Sequence, residues 1–240
     1  AMPSQTADNI RPRQEQINRA RQELRQYNPN MNRDGYFNQN FFDRHDFRPR
    51  YYAPGYRFWG AASWAAASSW LGNTSGYPNY YYPSGEYYAV TDANVNETPA
   101  YTYTEQQSYS LPPSETVISA PTSQTSTALA GGSDEWLPLG VFALGSSLEN
   151  AGSSNRFVQL AMNREGHIDG AVYNATTDNL QNITGIIDKD SQQVTLLLAN
   201  NIDSPIATTG LYNLTTGDTP LQLRFHDGSE QSWYLLRLEE

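Results

Sequence analysis

Between residues 136 and 238, apolar and polar positions alternate in short runs, and turn residues interrupt the runs at regular intervals. The pattern predicts eight strands, at 136–144, 156–162, 167–174, 181–187, 193–199, 206–213, 220–226 and 231–238. The period of two is clearest in the seventh, where Leu221, Leu223 and Phe225 alternate with Gln222, Arg224 and His226. Val158, Leu160 and Met162 form the expected core face of the second strand, and Val194, Leu196 and Leu198 that of the fifth. In the last strand either Trp233 and Leu235 or Tyr234, Leu236 and Leu238 point inward, and the charge on Arg237 favours the second set. The intervening turns are short, so neighbouring strands must pair antiparallel; a parallel pair needs a crossover of about a dozen residues or more. Eight strands joined in this way close most simply into an up-and-down barrel, which leaves no exposed edge. A two-sheet sandwich is the alternative. Gly170, Gly185 and Gly210 fall within strands and mark bends or close backbone approach.

Upstream the periodicity is different. Ile10, Ile17, Ala20, Leu24 and Tyr27 fall near one face of a helix predicted over 9–27, which Asn28-Pro29 ends. This thin stripe suits a solvated helix or one that docks on a partner. From Asn30 to Trp59, Arg and aromatic residues alternate among many Asn, Asp and Pro, and irregular structure is expected. Residues 61–67 favour a helix that Gly72 would stop, and the concentration of Trp around it calls for packing against protein. Tyr77 to Val90 reads as a hairpin turning at Pro83-Ser84-Gly85. The chain therefore divides into an Arg- and aromatic-rich arm (1–90), a Ser/Thr/Pro-rich linker (91–133) and an antiparallel β domain (134–240). The fold class is all-β, with the barrel preceded by a largely irregular arm carrying one short helix.

Charge sharpens this division. The net charge is -10, but residues 1–60 hold ten Arg against six acids, while residues 133–240 hold five basic side chains against fourteen acids. A basic arm ahead of an acidic body invites contact within or between chains. An acidic folded part argues against nucleic acid as a partner, although Arg–aromatic stacking in residues 1–60 leaves an RNA-binding arm as a third reading. Mean hydropathy is -0.66 and there is no run long enough for a spanning helix. Cysteine is absent, which excludes disulfides and thiolate chemistry. One lysine (Lys189) amid abundant Tyr, Asn, Ser and Thr suggests an exported protein. Asn73, Asn96, Asn174, Asn182 and Asn213 each begin an Asn-X-Ser/Thr triplet.

The run Trp136-Leu137-Pro138-Leu139-Gly140-Val141-Phe142-Ala143 resembles the opening of a C-terminal domain in planctomycete mu-protocadherin-like cell-surface proteins. So do Gln159-Leu160-Ala161, Gly166-x-Ile168-x-Gly170 before Tyr173-Asn174, and Gly210-Leu211-Tyr212-Asn213-Leu214-Thr215. Trp59, Trp64 and Trp70, ahead of a Tyr-rich stretch, are similar as well. The resemblance covers residues 50–90 and 135–240, implies export to the envelope or surface, and transfers no catalytic residue.

The candidate chemistry is sparse. His45, His167 and His226 lack metal-ligand spacing, so no metal site is expected. Asp178, Asp188, Asp190 and Asp203 could crowd at one barrel end, although turn aspartates usually cap backbone. A glycosidase would need two facing carboxylates; Glu165 and Asp169 flank one turn, but loop acids on an acidic domain are ordinary. No cofactor motif is present. The expectation is therefore a non-enzymatic protein of the secreted or envelope-attached class. Its β domain would serve assembly or adhesion, and its aromatic arm would tether it to other copies or to cell-surface components. Arg48, Arg50, Tyr51, Tyr52, Trp59, Trp64 and Trp70 are the expected arm contacts. The alternative is a small-ligand or glycan-binding barrel, with Tyr173, Tyr212 and Trp233 as ligand contacts.

Overall fold

The structure is a computed structural model, and it describes residues 7–29, 37, 39–46, 61–72, 77–82, 87–90, 136–198 and 204–238. The linker at 91–133 and the arm residues Arg48, Arg50, Tyr51, Tyr52 and Trp59 lie outside the described residues.

Eight antiparallel strands close into the predicted barrel: β3 (Trp136–Gly145), β4 (Arg156–Asn163), β5 (His167–Asn174), β6 (Asn179–Ile187), β7 (Gln193–Leu198), β8 (Ile206–Gly210), β9 (Asp218–Arg224) and β10 (Glu230–Arg237). Consecutive strands are neighbours, and β10 pairs with β3 to close the ring, with Leu235 opposite Leu144 and Arg237 opposite Phe142. A barrel, not a sandwich, is the outcome.

The interior is filled by Leu139, Phe142, Val158, Leu160, Met162, Ile168, Ile183, Val194, Leu196, Leu221 and Leu235, all buried. Two departures from the expected facing make this possible. In β3 a bulge falls between Pro138 and Gly140, and Gly140 takes a φ of 135° there. The extra residue shifts the phase, so Leu137 and Leu139 face inward before it and Phe142 and Leu144 after it. In β10 the inward set is Trp233, Leu235 and Arg237, while Leu236 and Leu238 lie outside, which reverses the face favoured by the sequence. The charge of Arg237 misleads because the outer face of β10 is itself covered, so both faces need apolar residues.

What covers it is the N-terminal region. Helix α1 (Ala7–Tyr27) buries Ile17, Ala20 and Leu24 against the outside of the barrel, and Tyr27 stays exposed. Its partner is thus the chain's own barrel. Arg21 Nε donates to the Arg237 carbonyl at 3.1 Å, and Asn28 Nδ2 to the Ser154 carbonyl at 3.1 Å. Helix α4 (Leu148–Gly152), capped by Ser147, folds back over β3 and β10 beside α1. In the segment expected to be irregular, α2 (Gln39–Arg44) forms and buries Phe41 and Phe42 with Phe37. These rings meet outward-facing Tyr173 edge-on, at 4.9 Å from Phe41 and 6.3 Å from Phe37. Burial of these rings, at about 1.5–3 kcal/mol each, outweighs weak local helix preference.

Helix α3 (Trp64–Trp70) and the hairpin of β1 (Asn79–Tyr81) and β2 (Tyr87–Ala89) complete the described N-terminal elements. The hairpin has the expected facing, with Tyr80 opposite Tyr88 and Tyr81 opposite Tyr87. The sixth barrel strand, expected to reach residue 213, stops at Gly210. Its partner β9 carries Pro220, which has no N–H to extend the ladder, and Thr209 Oγ1 donates to the Pro220 carbonyl instead, at 2.7 Å. The chain then turns through a short 3-10 segment, Asn213–Thr215.

Candidate strand-docking site at the plugged end

One end of the barrel carries the β4–β5 turn, the β6–β7 turn and the β8–β9 connection. All three grip described residues of 61–72 and 77–82. From the first, Arg164 lies over the Trp70 ring, 3.9 Å from its centroid. From the second, Lys189 Nζ donates to the Leu71 carbonyl at 3.4 Å and to the Arg164 carbonyl at 2.9 Å, so the single lysine holds the C-terminus of α3. From the third, Tyr212 meets Trp64 edge-on at 5.7 Å. Ala62, Trp64, Ala67 and Leu71 are buried and continuous with the barrel core. From inside the barrel, Arg237 donates through Nη1 to the Ala62 carbonyl at 3.5 Å and through Nη2 to the Leu214 carbonyl. Residues 61–72 therefore form a plug.

The hairpin beside the plug is held mainly through its backbone. Gln192 Oε1 accepts from the Asn79 N–H at 2.7 Å while its Nε2 donates to the Tyr77 carbonyl at 3.0 Å. Asn213 repeats the arrangement: Oδ1 accepts from the Tyr81 N–H and Nδ2 donates to the Tyr81 carbonyl, both at 2.9 Å. Each side-chain amide thus offers a strand what a neighbouring strand would offer, one donor and one acceptor. Asn79 Nδ2 and the Tyr81 hydroxyl both donate to the Ser191 carbonyl, at 3.1 and 2.5 Å. Gly210 supplies the clearance, since a Cβ there would lie 2.5 Å from the Tyr81 ring and 2.4 Å from Asn213 Oδ1. Asn213 is itself fixed, its carbonyl accepting from Thr216 and Thr219 hydroxyls at 2.8 and 2.7 Å. Asn213→Ala would leave the Tyr81 N–H and C=O buried without these partners. A loss of about 2–3 kcal/mol in urea unfolding is expected; a loss under about 0.5 kcal/mol would mean that the clamp contributes nothing. The same burial removes Asn213 from the candidate glycosylation sites.

The three expected ligand contacts do not converge. Tyr212 lies at the plugged end, where burial pushes its phenol up to about 12. Tyr173 is on the outer surface under α2. Trp233 is at the far end, half-buried beside the core, with Nε1 donating to Gln231 Oε1 at 3.1 Å. Of the expected arm contacts, Trp64 and Trp70 are placed, and both belong to the plug. The amide clamp went unforeseen: Gln192 and Asn213 read as turn residues, and nothing local in the sequence marks them as strand partners.

The carboxylates also separate. Asp178, in the β5–β6 turn, is at the opposite end from Asp188 and Asp190, and Asp203 lies outside the described residues. Asp188 Oδ1 caps its own turn, accepting from Asp190 and Ser191 N–H at 2.9 and 3.0 Å. Glu165 is exposed, 3.6 Å from His167, while Asp169 is buried on the outer face of β5. Among the described residues no group of three metal-ligating side chains occurs.

Asp178 instead latches α2 to the barrel. Its Oδ1 accepts from the Tyr173 hydroxyl at 2.8 Å and lies 3.0 Å from His45 Nε2, while His45 Nδ1 faces the Phe41 carbonyl at 2.7 Å. The hydrogen bonds from Tyr173 and then His45 hold the Asp178 carboxyl below the usual carboxylate range. A depressed folded value stabilises the latch fully above the unfolded value, and that contribution disappears as pH falls through the folded one. Amide exchange in residues 39–46 should therefore quicken on the acid side of that range. Asp178→Asn should abolish the acid step; an unchanged step would assign it elsewhere.

No family model matches the chain, no curated protein is detectably similar, and no solved structure resembles the barrel at a significant level.

Proposed function

We propose that this chain is a non-enzymatic assembly protein, secreted or attached to the cell envelope, in which the barrel is the interaction module and the aromatic N-terminal region the tether. The observation that carries this reading is the grip of three barrel loops on residues 61–72 and 77–82, which directs the barrel's most specific contacts at polypeptide. A filled interior supports it, because a barrel packed with Leu, Ile, Val and Phe is a scaffold and not a container. Export is favoured by the composition and by the resemblance to cell-surface proteins. Among the described residues no helix is long and apolar enough to cross a membrane. Sedimentation of the full chain from micromolar to millimolar concentration tests the assembly reading. Association growing with concentration is expected, and a monomer at every concentration would end it.

A second reading rests on the far end. Trp233, Leu144, Val172, Leu198 and Ala207 are only partly buried there and face the core. A small apolar or glycan ligand would stack on Trp233, and Trp233→Ala should then abolish its binding while leaving assembly intact.

A further inference from the structure

Resting on the assembly reading, we infer that residues 1–90 exchange between copies, with the plug and hairpin of one molecule occupying the Gln192–Asn213 clamp of another. Three observations lead there. First, every described element of residues 1–90 except the β1–β2 pairing itself is held by the barrel, and the only covalent link between the two parts is residues 91–135. Second, that link leaves from Val90 and returns at Trp136, and both lie at the plugged end, since Trp136 pairs with Asn163 beside the β4–β5 turn. Forty-five residues, at a covalent limit of about 3.3–3.6 Å each, are long enough to cross to an adjoining barrel. Third, the clamp reads main-chain groups and the charges are complementary, a basic first 60 residues against an acidic body. None of these contacts depends on which copy supplies the strand.

Exchange conserves the contacts, so the balance between closed monomer and exchanged species follows concentration and not clamp strength. The tethered segment competes at an effective concentration on the order of millimolar. Dilute chains stay closed, and chains crowded on a surface exchange. Reciprocal exchange gives dimers, and onward exchange gives open chains.

The absence of cysteine makes the test direct. Full-length Asn79→Cys and Ser191→Cys chains, mixed at high concentration and treated with a short thiol–thiol crosslinker, should yield a covalent heterodimer. Asn79→Cys mixed with Asp227→Cys, whose label sits in the β9–β10 turn at the far end, should not. Adding Asn213→Ala to both partners should speed heterodimer formation roughly 30- to 150-fold while leaving the final yield unchanged, because it weakens the closed and exchanged clamps alike. An ordinary interface would lose yield. Should Asn79→Cys disturb the hairpin, the exposed Tyr77 serves as the label position instead. Association without the Asn79–Ser191 product would overturn exchange and leave the assembly reading standing. A monomer under all conditions would overturn both.

Discussion

Replacing Arg237 with alanine is expected to lower the unfolding free energy by about 4 kcal/mol, and to loosen the plug before the rest of the barrel. The guanidinium is buried, 5.3 Å over the Phe142 ring, and donates to the carbonyls of Ala62 in the plug and Leu214 in the β8–β9 connection. Alanine would remove both donors and leave a void beside Phe142. Hydrogen bonds from a charged group contribute more than neutral ones, and carbonyls stranded in the core carry their full desolvation cost. Arg237→Met keeps the aliphatic volume and should recover about half of the loss. Urea unfolding gives the global value, and hydrogen exchange across residues 62–71 gives the local one. If alanine costs less than about 1 kcal/mol, the buried charge is not what joins plug to barrel.

Gly170→Ala is expected to cost a comparable amount, about 4 kcal/mol, by overpacking and not by loss of contact. Gly170 faces the interior opposite Leu160, and an added Cβ would lie 2.2 Å from the Gln159 carbonyl oxygen and 2.8 Å from Leu160 Cδ2. The first of these is backbone, so β4 and β5 would have to part. Gly185 stands in the same relation to β7, with a Cβ 2.5 Å from the Thr195 carbonyl oxygen and 2.8 Å from Leu196 Cδ2. The missing side chains are the space that Leu160 and Leu196 occupy. Truncating Ile186, exposed on the outer face of β6, should cost well under 1 kcal/mol and serves as the contrast. Equal unfolding midpoints for Gly170→Ala and Ile186→Ala would contradict the account of how the interior is filled.

These two residues also mark how far the sequence can be read. A glycine within a strand pattern signals close approach, and the signal was present at 170, 185 and 210. Which atoms approach required the register. Arg237 was legible only as a charge, and a charge in an alternating strand normally faces water. That inference fails where the outer face is covered by a helix from far upstream.

Alternation and short connections by themselves determined an antiparallel, all-β C-terminal domain of eight strands, because a period of two and connections too short for a parallel crossover admit few other arrangements. The apolar stripe of α1, the hairpin of tyrosines and the helix between the tryptophans were equally readable, since each is a local pattern. Only the tertiary structure decided that these pieces close one end of the barrel and sheathe one side of it. Only it decided that Gln192 and Asn213 act as strand partners, that Tyr173, Tyr212 and Trp233 stand apart, and that Asp178 holds α2. Such pairings join residues about 110 to 135 positions apart. They arise from how much surface each element must bury, a property of the folded whole that no local run of residues carries.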